Sequence, residues 1–328
     1  MRLNYLLLDV FTSERLKGNP LAVVLNADAL LDDQMQAIAR EFNLSETVFI
    51  KRPQAVKHTA AVRIFTPETE LPFAGHPTVG AAVVLGLQTR SSAIRIEEQV
   101  GLITCVMEKV DKGRGAARFA LPRLPAEAGQ PPDARRIAGT LGIEPEEVGC
   151  GVYRPAVYSA GVPYYLVPVR DAAVLKRVRP ERRGWSEVYP EGHNSVYVFT
   201  ETPGERGNRF AARMFSPGMG LGEDPATGSA AAALIGLLAK YANPGQTEFV
   251  LRQGDEMGRP SRITVQFRKE GDELTHGGIG GEAVIIGDLT HPLIARQAEA
   301  LRLAPGETEQ VAVNAGGPAR VGVVMTYQ

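Results

Sequence analysis

The chain has 328 residues, of which 44% are hydrophobic and 22% charged, with a formal net charge of -1. The balance of 36 Lys and Arg against 37 Asp and Glu gives no electrostatic basis for binding nucleic acid or an anionic membrane. The two cysteines, Cys105 and Cys150, lie outside any CxxC pair, and the five histidines show no HxxxH or HxH spacing, so neither a disulfide scaffold nor a metal site is expected.

In chain order, "LNYLLLDVF" reads as a buried strand. Asp9 interrupts it far short of a signal-peptide core. A turn, "TSERLKGN", leads to a second strand, "PLAVVLN". Residues 33–42 have helical periodicity, with Met35, Ile38, Ala39 and Phe42 on one face and Asp32 as the expected N-cap. The strand "LSETVFIKR" follows, placing Glu46 at a helix-to-strand junction, and "AAVRIFTP" is a strand ending at proline. "ITCVMEKV" and "GAARFALPR" read as a hairpin or meander.

The proline-rich, polar segment 121–136 reads as an interdomain connection, followed by a short helix. Strands resume at "YYLVPV", "SVYVFT" and "RFAARMF", and an apolar helix is expected over 228–241. "EFVLRQ", "SRITVQF" and "EAVIIG" are further strands; near the end "PLIARQAEALRL" reads as helical and "ARVGVVMTY" as a closing strand. The expected division is 1–122, 123–290 and a tail, 291–328, that returns to the N-terminal domain or contributes to a dimer interface. The longest apolar run, Ala230 to Ala239, is too short to span a bilayer, so a soluble, cytoplasmic protein is expected.

One pattern occurs twice. Arg63–Pro67 reads "RIFTP" and Arg213–Pro217 reads "RMFSP"; each is followed by a loop and then by "HPTVGAA" (76–82) or "DPATGSA" (224–230). A strand, a loop, a proline–glycine turn and an apolar helix therefore recur about 150 residues apart. Helices apolar nearly all round must be buried on most sides, as when strands wrap them. Their first N–H groups still need acceptors, and the helix dipole favours an anion. Two readings stand at these helix mouths. Asp224, Thr227 and Ser229 cap their own helix, or the two mouths open on one cleft and hold a small carboxylate, with glycines allowing close approach to the backbone. The paired pattern favours the second.

Other signatures are absent. "GMGLGED" is not GxGxxG, and there is no GxxxxGK[ST] or GxSxG.

Five segments, "GNPLAVV", "NLSETVF", "RIFTPETELPFAGHPTVGAA", "RMFSPGMGLGEDPATGSAAAAL" and "QGDEMGRPS", resemble in order the phenazine-biosynthesis isomerase (PhzF-like) family, over about residues 1–287. The resemblance implies an α/β (α+β) protein with a diaminopimelate-epimerase-like fold: two similar domains, each with strands wrapped around a central apolar helix. Fold relatives that racemise amino acids use two cysteines; neither helix mouth here has one. The resemblance instead places the proton transfer on Glu46, without metal or cofactor. One buried carboxyl group would remove a proton from one carbon and return one to another, with its pKa raised toward the working pH. Carried over by motif, His76, Asp224 and Ser229 hold the substrate, Gly75 and Gly228 lend backbone N–H groups, Thr227 stands beside them, and Asn19 and Arg259 line or support the site.

By pattern alone, Glu46 reads equally as an exposed carboxylate at a helix end, and His76 as a structural histidine. The expected activity is isomerisation of a small cyclic or amino-acid-like carboxylate in a biosynthetic setting, by a homodimer. The alternatives are an epimerase of a small amino or hydroxy acid, and a binding protein that kept the cleft without the reaction. The loops around "HTAAVR", "GVYRPAVYSAGVPYY" and "GHNSV" are expected to set specificity.

Overall fold

The computed structural model describes residues 2–190, 194–202, 209–217, 221–243, 245, 247–286, 308–313 and 321–326. The expected helix at "PLIARQAEALRL", His193 of "GHNSV" and residues 218–220 of the glycine-rich loop lie outside them. The chain forms two compact units. One comprises Met1–Leu16, Pro20–Ala117 and Glu282–Gln328; the other comprises Lys17–Asn19 and Arg118–Gly281.

The elements up to residue 120 are β1 (Arg2–Val10), β2 (Asn19–Leu25), α1 (Asp32–Phe42), β3 (Glu46–Lys51), β4 (Ala60–Phe65), β5 (Glu70–Leu71), α2 (Gly75–Thr89), β6 (Ala93–Glu98), β7 (Gly101–Lys109) and β8 (Arg114–Ala120). In the first unit β2 pairs parallel with β3, and β3 antiparallel with β4. β4 then pairs antiparallel with β5 and parallel with β6, and β6 antiparallel with β7.

The later elements are β9 (Ala126–Glu127), α3 (Ala134–Leu141), β10 (Ala156–Ser159), β11 (Pro163–Pro168), α4 (Ala172–Arg177), α5 (Trp185–Val188), β12 (Val196–Glu201), β13 (Arg209–Ser216), β14 (Leu221–Asp224), α6 (Gly228–Tyr241), β15 (Glu248–Gln253), β16 (Ser261–Glu270), β17 (Glu273–Ile286), β18 (Thr308–Val313) and β19 (Val321–Thr326). The second unit repeats the first unit's pairings. β11 is parallel to β12, β12 antiparallel to β13, β13 antiparallel to β14 and parallel to β15, and β15 antiparallel to β16. The sequence echo is thus an echo of the whole strand ladder. Residues 283–286 of β17 pair with β1, and β19 runs parallel to β1 from Arg2.

Each unit is built round its apolar helix. α2 packs against β1, β3, β4, β6 and β7, and every residue from Gly75 to Gly86 is buried. Each fully buried Val or Leu contributes roughly 1.5–3 kcal/mol, so this helix is held by its surroundings and needs no polar face. Gly80 is the point of closest approach: a Cβ there would lie 2.4 Å from Cδ2 of Leu21. α6 is covered in the same way by β9, β10, β11 and β16. A separate core of the second unit gathers Ile137, Leu141, Trp185, Tyr189 and Phe215.

Two local expectations need correction. Asp32 is the first residue of α1, not its N-cap. Leu31 holds that place, its N–H donates to Oε1 of Gln34, and the Asp32 carboxylate is drawn to Arg63 instead. The sequence places the first apolar helix over 78–87, but α2 begins earlier, at Gly75. Proline lacks an N–H, which the first turn does not need, so Pro77 fits inside that turn. His76 is therefore a helical residue of the first turn.

Candidate active site

In the first unit, Glu46 opens β3 and His76 stands in the first turn of α2. Antiparallel pairing of β3 with β4 sets Thr47 opposite Phe65, at the end of the strand whose loop leads to α2. Nε2 of His76 and Oε2 of Glu46 are 3.3 Å apart, with the imidazole 5% and the carboxyl side chain 17% exposed. Burial pushes the His76 pKa down to about 3, so the ring is neutral at physiological pH. The contact is therefore between a neutral imidazole and a carboxyl group, a pair able to pass or share a proton. The first intrahelical bond of α2 runs from the Thr78 N–H to Ala74 O, so the N–H groups of Gly75 and His76 have no acceptor within the helix.

In the second unit, α6 starts at Gly228 with Thr227 at the N-cap, and the Ala231 N–H makes the first helical bond, to Thr227 O. The Thr227 side chain does not cap the helix. Its hydroxyl donates to Oδ2 of Asp224. Ser229 turns to Tyr164, with 2.7 Å between hydroxyls. Asp224 is buried; its Oδ1 accepts from Nδ2 of Asn19 at 3.0 Å, and Asn19 also donates to Ala226 O. The cap reading of Asp224, Thr227 and Ser229 thus gives way to a network of side chains. Arg259 is a support for it: its guanidinium donates to the carbonyls of Gly18 and Lys17, fixing the segment that carries Asn19.

The network centres on a residue that motif reading passed over. Gln253 uses its amide completely. Nε2 donates to Asp224 O at 2.7 Å and to Oγ1 of Thr227 at 2.9 Å, and Oε1 accepts from the Thr227 N–H and from the Tyr197 hydroxyl. Gly254, with φ of +82°, lies so close to Pro225 that a Cβ would come within 2.6 Å of its carbonyl oxygen. Gln253 and Gly254 open the segment "QGDEMGRPS", which was the available signal; Tyr164 and Tyr197 carried none. Among the described residues, no group of three His, Cys, Asp or Glu side chains could hold a metal ion, and no helix is long and apolar enough to cross a membrane.

A strand ladder repeated in two units, each built round an apolar helix, defines a duplicated α+β protein. Residues 8–288 match the family model described as phenazine biosynthesis-like protein, and the chain belongs to that family. It is 45% identical over 294 residues to an uncharacterized isomerase of Mesorhizobium japonicum, covering 87% of this chain and 97% of that one. It is 36% identical over 288 residues to the trans-2,3-dihydro-3-hydroxyanthranilate isomerase of Pseudomonas chlororaphis, covering 87% and 97%. The crystal structure of a PhzF-family phenazine biosynthesis protein of Bacillus anthracis superposes with a TM-score of 0.77 at 25% identity, covering 87% and 98%. The protein is an isomerase of this family.

Proposed function

We propose that the protein isomerises a small carboxylate-bearing, cyclic or amino-acid-like substrate by moving one proton, with Glu46 as the acid and base. The observation that carries this reading is the 3.3 Å approach of Glu46 to a neutral His76 in the first turn of α2. Glu46 takes a proton from a substrate carbon, the double bonds shift, and Glu46 returns a proton to a second carbon. No net proton is gained or lost. His76 keeps the carboxyl group oriented between the two transfers and steadies whichever of its forms is present. The N–H groups of Gly75 and Gly228 and the hydroxyl of Ser229 hold the substrate's polar groups. Asp224 and Thr227 present that second set, with Asn19 and Arg259 behind them. A homodimer belongs to the same proposal.

The name of the Pseudomonas chlororaphis relative supplies the first compound to try, trans-2,3-dihydro-3-hydroxyanthranilate. The test is incubation of that compound, then of a panel of small cyclic carboxylates, in deuterated water, with products read by NMR. Deuterium on a carbon with a relocated double bond is the expected result. Deuterium with only inverted stereochemistry would make the protein an epimerase, and tight binding without exchange would make it a binding protein. Either outcome overturns the proposal.

A further inference from the structure

The repeated ladder gives the paired residues of β2–β7 counterparts in β11–β16. Phe65 and Phe215 correspond through "RIFTP" and "RMFSP", which makes Ala60 the counterpart of Phe210. Ala60 pairs with Ile96, and Phe210 with Leu251. Counting two residues on from each, Glu98 at the end of β6 corresponds to Gln253 at the end of β15. Both side chains turn to the first turn of their unit's apolar helix. Gln253 binds Thr227 at the mouth of α6, and Glu98 meets Thr78 at the mouth of α2.

Hydrogen counting then decides the state of Glu98. Oγ1 of Thr78 lies 2.7 Å from Ala74 O and 2.7 Å from Oε1 of Glu98. Thr78 has one hydroxyl proton, and a carbonyl oxygen can only accept, so both contacts are hydrogen bonds only if that proton goes to Ala74 O. The remaining 2.7 Å contact is a hydrogen bond only if the proton comes from Glu98. Oε2 of Glu98 is buried with no partner among the described residues, and the residue is 8% exposed, a place that does not suit a negative charge. We infer that Glu98 is held as a neutral carboxylic acid that donates to Thr78, and that it is a positioning residue for the helix turn carrying Gly75 and His76. It does with an acid proton what Gln253 does with an amide.

The surroundings agree. Burial, against a smaller opposing effect of the Thr78 contact, pushes the Glu98 pKa up to about 8, and burial pushes the neighbouring Cys105 thiol of β7 up to about 12. His76 is the one titratable side chain of α2. On β4, Arg63 is engaged by Glu70 and Asp32. On β7 the other titratable groups, Glu108 and Lys109, are exposed, and on β6 Arg95 is exposed while Glu97 is bound to His58.

The consequence for the reaction rests on the function proposed above; the protonation state does not, and the experiment separates them. The infrared spectrum of the whole protein at pH 7 should contain the carbonyl band of a protonated carboxylic acid that is missing in Glu98→Gln. No substrate is needed. If the two spectra match in that region, the inference is overturned, whatever the activity. Stability gives a second readout. The folded-state pKa lies above the ordinary carboxyl value, so the stabilisation is complete below about pH 4.5 and is lost as pH rises toward 8. Over that window the unfolding constant of the wild type should rise relative to Glu98→Gln, by at most about tenfold per pH unit; parallel profiles would contradict the inference. For turnover, Glu98→Gln should keep kcat near pH 7 and lose the alkaline decline near pH 8, whereas Glu98→Ala should lose kcat at every pH. A Gln variant as impaired as the Ala variant would show that proton donation to Thr78 is not the role.

Discussion

The two helix mouths share a frame and differ in chemistry. At α2 a neutral imidazole meets a carboxyl group; at α6 a carboxylate is gripped by donors. The correspondence extends to individual residues. Thr47 and Val196 face the equivalent Phe65 and Phe215, so Glu46 has Ser195 as its counterpart, and His76 has Asp224. Ser195 lies 3.0 Å from Ser216, hydroxyl to hydroxyl. A hydroxyl is no general base at neutral pH, so under the proposed mechanism the proton carrier stands in one copy only. The second copy invests its polar groups in rigidity. On that proposal, a repeated fold separates moving a proton from holding a molecule, with the same ladder beneath each mouth.

Substitutions at the two mouths should therefore fail in different ways. The largest effect is expected at the first. His76→Asn should lower kcat/KM by about 10²–10⁴-fold, the range for a lost acid–base partner, with little change in thermal stability at pH 7. The same variant tests the buried ring. Its folded pKa lies below the ordinary value, so wild-type stability should be full above about pH 6.5 and fall as pH drops toward 3. The Asn variant should lack that part of the acid sensitivity. Unfolding of the variant at neutral pH would blur the contrast between the mouths.

At the second mouth the expected loss is structural. Gln253→Ala leaves the Thr227 N–H and the Tyr197 hydroxyl without their buried acceptor, which costs about 3 kcal/mol in denaturant unfolding. If stability held while kcat collapsed, Gln253 would belong to the chemistry instead. The smallest effect is expected at Tyr164→Phe, which removes one hydrogen bond to Ser229, worth about 1 kcal/mol. KM should rise by less than about tenfold with kcat unchanged, the pattern of lost uniform binding.

Much of this frame was legible in the sequence, because the repeat preserved the residues that turn corners. "RIFTP" and "RMFSP" end equivalent strands, and the glycine and proline of each mouth mark where an apolar helix starts. The six-residue β6 and β18 and the shorter β5, β9, β10 and β14 were not foreseen. In the shorter four, two to four residues give too little alternation to reveal a strand, and the ladder defines them rather than their own propensity. Asp32 was misread for a related reason: a carboxylate suited to capping found a stronger partner in Arg63, 31 residues away. The equivalence of Glu98 and Gln253 was hidden because "AIRIEE" and "EFVLRQ" share almost no residues. Strand register relates them, and single-sequence patterns do not contain it.

The central claim is that Glu46 moves the proton. Wild-type protein and Glu46→Gln should be incubated with trans-2,3-dihydro-3-hydroxyanthranilate in deuterated water, with binding of the same compound followed by calorimetry. The account predicts deuterium incorporation by the wild type, and binding without incorporation by the variant. Incorporation by Glu46→Gln at the wild-type rate would contradict it.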